Sequence, residues 1–338
     1  MMKETLTALC RLPGVSGREE AVRDYIRAIA EPHADEIITD NMGNLLVHVP
    51  GLRRPSKPVL LAAHMDEVGV IVTDVTEDGY LKFDFVGGVD RRVVIGKKVL
   101  LGDGAVPGVI GLKAIHLVPA GERSTVPQTK AMYIDIGVSD RAAALALVRP
   151  GDVGTFNDNV VEFGDGFLRA KAIDDRVGCT VLLELICGQL PVDAWFAFTV
   201  QEEVGCRGAA AAAFRIRPEV ALIIEGTTAA DLPSQSGNAR VCAPGKGPVV
   251  PFMDGGAIYD RGMFKELTGL AEKENIPWQT KTWISGGTDA SVVQKTAAGA
   301  RVAAISAAVR YIHSPSCVGC LEDFENMKKL ALAYLETL

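Results

Sequence analysis

Cysteine is sparse in this sequence: Cys10, Cys179, Cys187, Cys206, Cys242, Cys317 and Cys320 make an odd set of seven, thinly spread and without a secretory leader ahead of them. That pattern excludes a disulfide framework and predicts a protein of the reducing cytoplasm. Long apolar runs are missing as well. Charge or glycine interrupts every one well short of the ~20 residues a membrane helix needs, so no membrane span is expected. Basic charge is not in excess, since 35 Lys+Arg stand against 42 Asp+Glu for a net charge of −7. Nonspecific nucleic-acid binding is therefore a poor default, and pairs such as Arg53-Arg54 and Arg91-Arg92 read as solvated surface. The P-loop pattern, the dinucleotide G-x-G-x-x-G and the G-x-S-x-G serine elbow are all absent, so phosphate cradles and serine-elbow chemistry have no support. What is present is 48% hydrophobic and 23% charged residues over 338 positions, enough for a large core in one large or two moderate domains.

The chain changes character twice. Leu6, Leu9, Val22, Ile26 and Ile29 recur at near-helical spacing around a break at Pro13-Gly14, and Ser16 with Glu19 has the form of a capping box, which predicts two N-terminal helices. Asn44 to Val49 and Pro58 to Ala63 read as strands, the second apolar enough to be buried on both faces and to deliver His64 at its end. From about 70 to 162, short Val/Ile/Phe-rich runs alternate with turn residues, the pattern of a small β-rich unit. Beyond it, helices at Val177–Ile186, Gly208–Phe214 and Tyr259–Lys273 alternate with strands at Trp195–Val200, Val220–Ile224 and Val302–Ala307, and a last helix starts at Leu321. This is an α/β layered sheet, with residues 1–69 and 163–338 forming one discontinuous domain around an insert at 70–162.

Candidate chemistry falls at the ends of the apolar elements, where open α/β sheets bind ligands. His64 ends a buried strand, and Asp66, two residues on along extended backbone, shares its face and can orient its ring. Asp174-Asp175 stand before a helix, where either could be an N-cap, and Glu202-Glu203 follow the strand from Trp195, where an acid pair could equally be surface. Glu225 ends the next strand and His313 follows Val309 to Ile312. Each is weak alone. Two histidines with several carboxylates suit a Zn²⁺-like ion, a carboxylate shared between two ions makes a two-metal hydrolytic site, and a spare carboxylate can serve as general base.

Five segments carry a resemblance. His64-Met65-Asp66, Ala172-Ile173-Asp174-Asp175-Arg176-Val177-Gly178, Gln201-Glu202-Glu203-Val204-Gly205, Ser285-Gly286-Gly287-Thr288-Asp289-Ala290 and Arg310-Tyr311-Ile312-His313-Ser314-Pro315 resemble, in order, the motifs of the di-metal tetrahedral and glutamyl aminopeptidases, some of which carry a cellulase label. The resemblance runs nearly end to end. It implies a zinc-aminopeptidase-like layered mixed sheet with an inserted β-barrel-like dimerisation domain, and self-association from a dimer up to a dodecamer. It implies two divalent metal ions per chain, Zn or Co, with Asp174 bridging, His64 and Glu225 completing one position and Glu203 and His313 the other. Glu202 would be the general base, Asp66 the partner of His64, the Asp174–Asp175 peptide cis, and the substrates short peptides cut from the N-terminus. Many relatives carry Asp where this chain has Glu225, so one extra methylene must be accommodated at that ligand.

Rival readings are a metal-binding assembly protein without activity and a glycoside hydrolase using Glu202 and Glu203. A structural metal site has no need for an unliganded base, and a glycosidase has no need for histidine ligands. Cys317-Val318-Gly319-Cys320 lacks the second ligand pair of a structural zinc site and reads as ordinary thiols. The nucleobase-deaminase pattern fails at both halves, since His64 lacks a following H-x-E glutamate and Ser316 precedes Cys317.

Overall fold

The computed structural model describes residues 2–157 and 159–338. The chain begins with α1 (Met2–Arg11) and α2 (Glu20–Ala30), followed by β1 (Glu36–Thr39), β2 (Leu45–Val49) and β3 (Val59–His64). Next come β4 (Gly69–Val75), β5 (Leu81–Val86), β6 (Lys98–Leu101), β7 (Val106–Leu112) and β8 (Met132–Asp135), then the short α3 (Arg141–Leu145) and β9 (Val153–Phe156). After β10 (Val161–Phe163) and β11 (Phe167–Ala170) the order is α4 (Ile173–Ile186), β12 (Ala194–Thr199), α5 (Arg207–Ile216), β13 (Val220–Thr228) and α6 (Arg261–Lys273). The chain closes with α7 (Ala290–Val293), β14 (Arg301–Val309), β15 (Cys317–Cys320) and α8 (Leu321–Thr337).

The main sheet has the order β1-β2-β12-β3-β13-β14. β12, β3, β13 and β14 run parallel, and β1 and β2 add an antiparallel edge. Both faces of β3 are covered, as its unbroken apolar run requires. Val59, Leu61 and Ala63 face a core shared with Leu6 and Leu9 of α1, Ile26 of α2, Val181 of α4 and Leu330 of α8. Leu60 and Ala62 face the opposite side, against Ala209, Ala212 and Ala213 of α5 and Val293 of α7. The alanine tract of α5 thus lets a helix lie close on the sheet. This is a layered mixed α/β fold.

The β-rich segment closes into a barrel of order β4-β5-β8-β7-β6-β9 around Val70, Leu81, Val99, Ile110, Ile134 and Phe156. A small sheet, β10-β11-β15, completes the strands.

Two local features position the site. β13 pairs with β3 only from Val220 to Ile223 and then continues beside β14 to Thr228, so a crevice opens between β13 and β3 at the carboxyl ends of the parallel strands. The capping box expected at Ser16 and Glu19 does not form: Glu19 itself stands at the cap position before α2, and both side chains bond elsewhere. Ser16 Oγ donates to Asp66 Oδ2 at 2.6 Å, and Glu19 Oε1 accepts from the backbone of Gly17 at 2.7 Å and of Gln201 at 3.2 Å. They tie the turn before α2 to the segments that follow β3 and β12.

Candidate metal centre

His64 ends β3 with its ring fixed from behind: Nδ1 lies 3.1 Å from the carbonyl oxygen of Asp66 and 3.4 Å from Asp66 Oδ1. A carbonyl can only accept, so Nδ1 carries the proton and Nε2 is left free as a ligand atom. Nε2 faces Asp174 Oδ1 at 3.5 Å. The other oxygen of Asp174, Oδ2, is 3.3 Å from His313 Nε2. One carboxylate therefore presents its two oxygens to two different imidazoles. His313 is held in the same manner, its Nδ1 donating to the carbonyl of Gly88 at 3.0 Å in the segment between β5 and β6.

The Asp174–Asp175 peptide is cis. Asp175 points away from the imidazole ligand atoms, its carboxylate accepting from the backbone N–H of His64 at 3.1 Å and of Gly178 at 2.8 Å. The backbone of Gly226 in β13 donates to Asp174 Oδ1 at 3.1 Å, and the close approach explains the glycine: a Cβ there would stand 2.8 Å from that oxygen.

Glu202 and Glu203 follow β12 on a loop whose N–H groups both donate to Asp66, at 2.9 and 3.1 Å. The pair then diverges. Glu203 Oε2 lies 3.2 Å from His313 Nε2, whereas Glu202 Oε2 lies 4.0 Å from His64 Nε2. Ligand atoms of His64, Asp174 and Glu203 all fall within 4.8 Å of one another. Glu225, buried in the stretch of β13 that has left β3, does not belong to that tight group. Its charge is nevertheless coupled to the group, for burial and the nearby Asp174 and Glu202 carboxylates raise its pKa well above the usual range.

Crowded acids dominate the electrostatics. Burial pushes Glu202 up to about 7 and Glu203 up to about 8. Burial also opposes ionisation of Asp174, but its hydrogen bonds with His313 and His64 outweigh this and hold it far below the ordinary carboxylate range. Against their own burial, contacts with Asp174 raise both histidines, His313 to about 9. Two imidazoles with several carboxylates form a donor set suited to divalent cations of the Zn²⁺ type. Glu203 Oε1 is buried with no hydrogen-bond partner, an acceptor whose burial a bound cation would compensate. The residues present fit a metal.

Sequence reasoning assigned no role to Asp289 or Cys206. Asp289, in the quoted Ser285–Ala290 segment, is 2% exposed and accepts from Thr199 Oγ1 at 2.6 Å. Cys206 Sγ donates to Glu202 Oε1 at 3.3 Å. The ion cluster behind the site was also missed. Glu67 accepts from Lys171 Nζ at 2.7 Å, Thr155 Oγ1 at 3.0 Å and the Gly14 backbone at 3.1 Å, with Arg176 at 3.4 Å. A cavity of about 790 Å³ beside this cluster, bordered by Arg11, Arg18, Asp152 and Lys171, is separate from the crevice that holds the imidazoles.

The M42 glutamyl aminopeptidase family model matches residues 43–330. The lysyl aminopeptidase of Pyrococcus furiosus is 33% identical over 343 residues, covering 99% of this chain and 97% of that protein. An aminopeptidase of the archaeon Desulfurococcus kamchatkensis superposes with a TM-score of 0.94 at 34% identity, covering 100% of this chain and 95% of that one. The TET1 peptidase of Pyrococcus horikoshii, described as assembling into a tetrahedron or a large octahedral shell, gives 0.88 at 33% identity with 100% of both chains covered. With the model spanning most of its length and relatives of this identity covering nearly all of it, the chain belongs to the M42 glutamyl aminopeptidase family.

Proposed function

We propose that this protein is a metal-dependent aminopeptidase that removes N-terminal residues from short peptides. The observation that carries the reading is Asp174, whose two oxygens face His64 and His313 at 3.5 and 3.3 Å. In this reading Asp174 is shared, His64 and Glu225 complete one cation position, and Glu203 and His313 the other. When bound, such a pair of divalent ions, Zn²⁺ or Co²⁺, polarises the scissile carbonyl and lowers the pKa of the attacking water.

The chain's own groups do the rest. Glu202 lies beside His64 without belonging to either ligand set, and takes the proton of the attacking water and returns it to the leaving amine. Asp66 acts as a positioning residue: it grips the backbone of Glu202 and Glu203 and backs the His64 ring, so base and ligands share one support. Gly88 anchors His313 from the barrel side. Residues 1–69 with 163–338 form the catalytic unit in this account, and 70–162 the unit of self-association, in assemblies from a dimer up to a dodecamer. Seven free thiols accord with a reducing cytoplasm.

Replacing Glu202 by Gln tests the assignment. The variant is expected to keep two metals per chain and lose turnover by about 10²–10⁴-fold on an aminoacyl substrate. His313→Ala is expected to lose metal instead. A near-normal kcat in Glu202→Gln contradicts the role given to Glu202.

A further inference from the structure

Cys206 and Asp289 are buried, chemistry-bearing groups that the reaction above does not use. Cys206 sits immediately before α5, its Sγ 3.3 Å from Glu202 Oε1 and 3.8 Å from Ser291 Oγ. Asp289, just before α7, commits Oδ2 to Thr199, whereas its Oδ1 is buried without any hydrogen-bond partner. One ligand atom from each of Glu202, Cys206 and Asp289 falls within 4.8 Å of the other two. A thiol between two carboxylates, one of them with a desolvated orphan oxygen, has more acceptor capacity than its neighbours can satisfy.

We infer that Glu202, Cys206 and Asp289 form a third cation site, distinct from the two positions sharing Asp174, which takes a soft divalent ion such as Zn²⁺ or Cd²⁺ and thereby switches the enzyme off. Sulfur at about 2.3 Å and oxygen at about 2.0–2.2 Å from a tetrahedral ion lie about 3.5 Å apart; the Cys206 Sγ–Glu202 Oε1 pair, at 3.3 Å, already has that spacing, and the other separations, all within 4.8 Å, would close towards it. The thiolate selects soft ions over Mg²⁺ and Mn²⁺. On binding, the thiol loses its proton to solvent, and the ion is held by one thiolate and two carboxylates. Inhibition follows because a cation held through one oxygen of Glu202, on the Oε1 side that faces Cys206, neutralises the carboxylate and lowers its basicity for the proton transfer made from the side facing His64. The inhibitory part rests on the reading of Glu202 as general base; the site itself does not.

The test is a titration of the enzyme with Cd²⁺ past the two equivalents that fill the positions sharing Asp174, whose imidazole and carboxylate ligands include no sulfur. A third equivalent is expected to bring up a thiolate-to-cadmium charge-transfer band in the ultraviolet while turnover falls. Cys206→Ala, checked to retain the first two ions, is expected to lose the band and to need about tenfold or more Cd²⁺ for the same inhibition. Cys206→Ser keeps a hydrogen-bonding group beside Glu202 and is expected to lose the band equally, while Asp289→Asn weakens the third equivalent. A third equivalent without a band, a band unchanged in both Cys206 variants, or a band that grows without any fall in turnover overturns the proposal. Failure of the base assignment is read separately, from Glu202→Gln carrying two ions.

Discussion

At the scale of single residues, Asp66 has the most consequential neighbourhood. It accepts from Ser16, Glu202 and Glu203 and lies against His64, so its loss loosens a ligand and the proposed base together. Asp66→Asn, which turns one acceptor into a donor facing N–H groups, is expected to weaken metal affinity or activity by about 10–100-fold. Metal titration and kcat on one substrate check this, and wild-type values for both would contradict it. Glu19 offers a pH-dependent case outside the proposed ligand set, although its bond from Gln201 ties it to the loop that carries Glu202 and Glu203. Burial raises its carboxyl from the ordinary 4.5 to about 7, against the pull of backbone donors at Gly17 and Gln201. Below 4.5 both folded and unfolded forms hold the proton and the group costs nothing. Between 4.5 and 7 the unfolded chain ionises first, so folding stability falls as pH rises, and above 7 the penalty is complete. Glu19→Gln in the metal-free protein is therefore expected to be more stable than the parent above pH 7, by about 1–3 kcal/mol, and to lose that advantage near pH 4. Denaturant midpoints across pH measure it; a pH-independent difference would contradict the assignment.

Among elements, the Glu67 cluster joins four parts of the chain that are distant in sequence. The turn after α1 supplies Gly14, the barrel strand β9 supplies Thr155, and Lys171 and Arg176 flank the start of α4. Glu67 and Lys171 are 2% and 5% exposed, so removal of one partner leaves a charge in a low-dielectric setting. Lys171→Met is expected to cost about 3–5 kcal/mol, towards the lower figure because Arg176 remains, and chemical denaturation gives the number directly. Gly226→Ala acts on the site rather than the core: its Cβ would meet Asp174 at 2.8 Å, and the expected result is weakened metal binding with the unfolding midpoint little changed.

The elements also show why some features were legible in the sequence and others were not. Runs such as Val59–Ala63 and Val220–Ile224 announce buried parallel strands because no polar residue interrupts them, and the polar residues just beyond them, His64 and Glu225, stand out against that background. Asp289 follows no apolar run, and its buried partner Thr199 lies 90 residues away, so local pattern carried no signal of its setting. Ser16 and Glu19 show the converse. Their spacing fits a local cap, but α2 starts one residue beyond Glu19, and partners 50 and 182 residues distant bind the two side chains, Glu19 keeping only a short local bond from Gly17. The Glu67 cluster was invisible for the same reason, since each of its contacts joins residues more than 50 positions apart.

For the molecule as a whole, the barrel does more than extend the chain. Its Gly88 carbonyl fixes the His313 ring, so the unit assigned to self-association touches the proposed metal site directly. Val93, Ile95, Val109, Ile115, Leu117 and Val126 are exposed within this segment, apolar surface of the kind that association removes from water. Light scattering is expected to find particles larger than one chain, and Ile115→Lys with Leu117→Lys is expected to shift them to smaller species; a monomer at micromolar concentration would contradict the assignment.

In the proposed function the cluster at the carboxyl ends of β3, β12, β13 and β14 works through two cations. Chelation followed by stepwise return of Co²⁺ or Zn²⁺, with peptidase activity and bound metal measured on the same samples, tests it most directly. The metal-free protein is expected to be inactive, with activity returning as about two ions per chain are restored, before any excess reaches the third site. Full peptidase activity in the metal-free protein would contradict it.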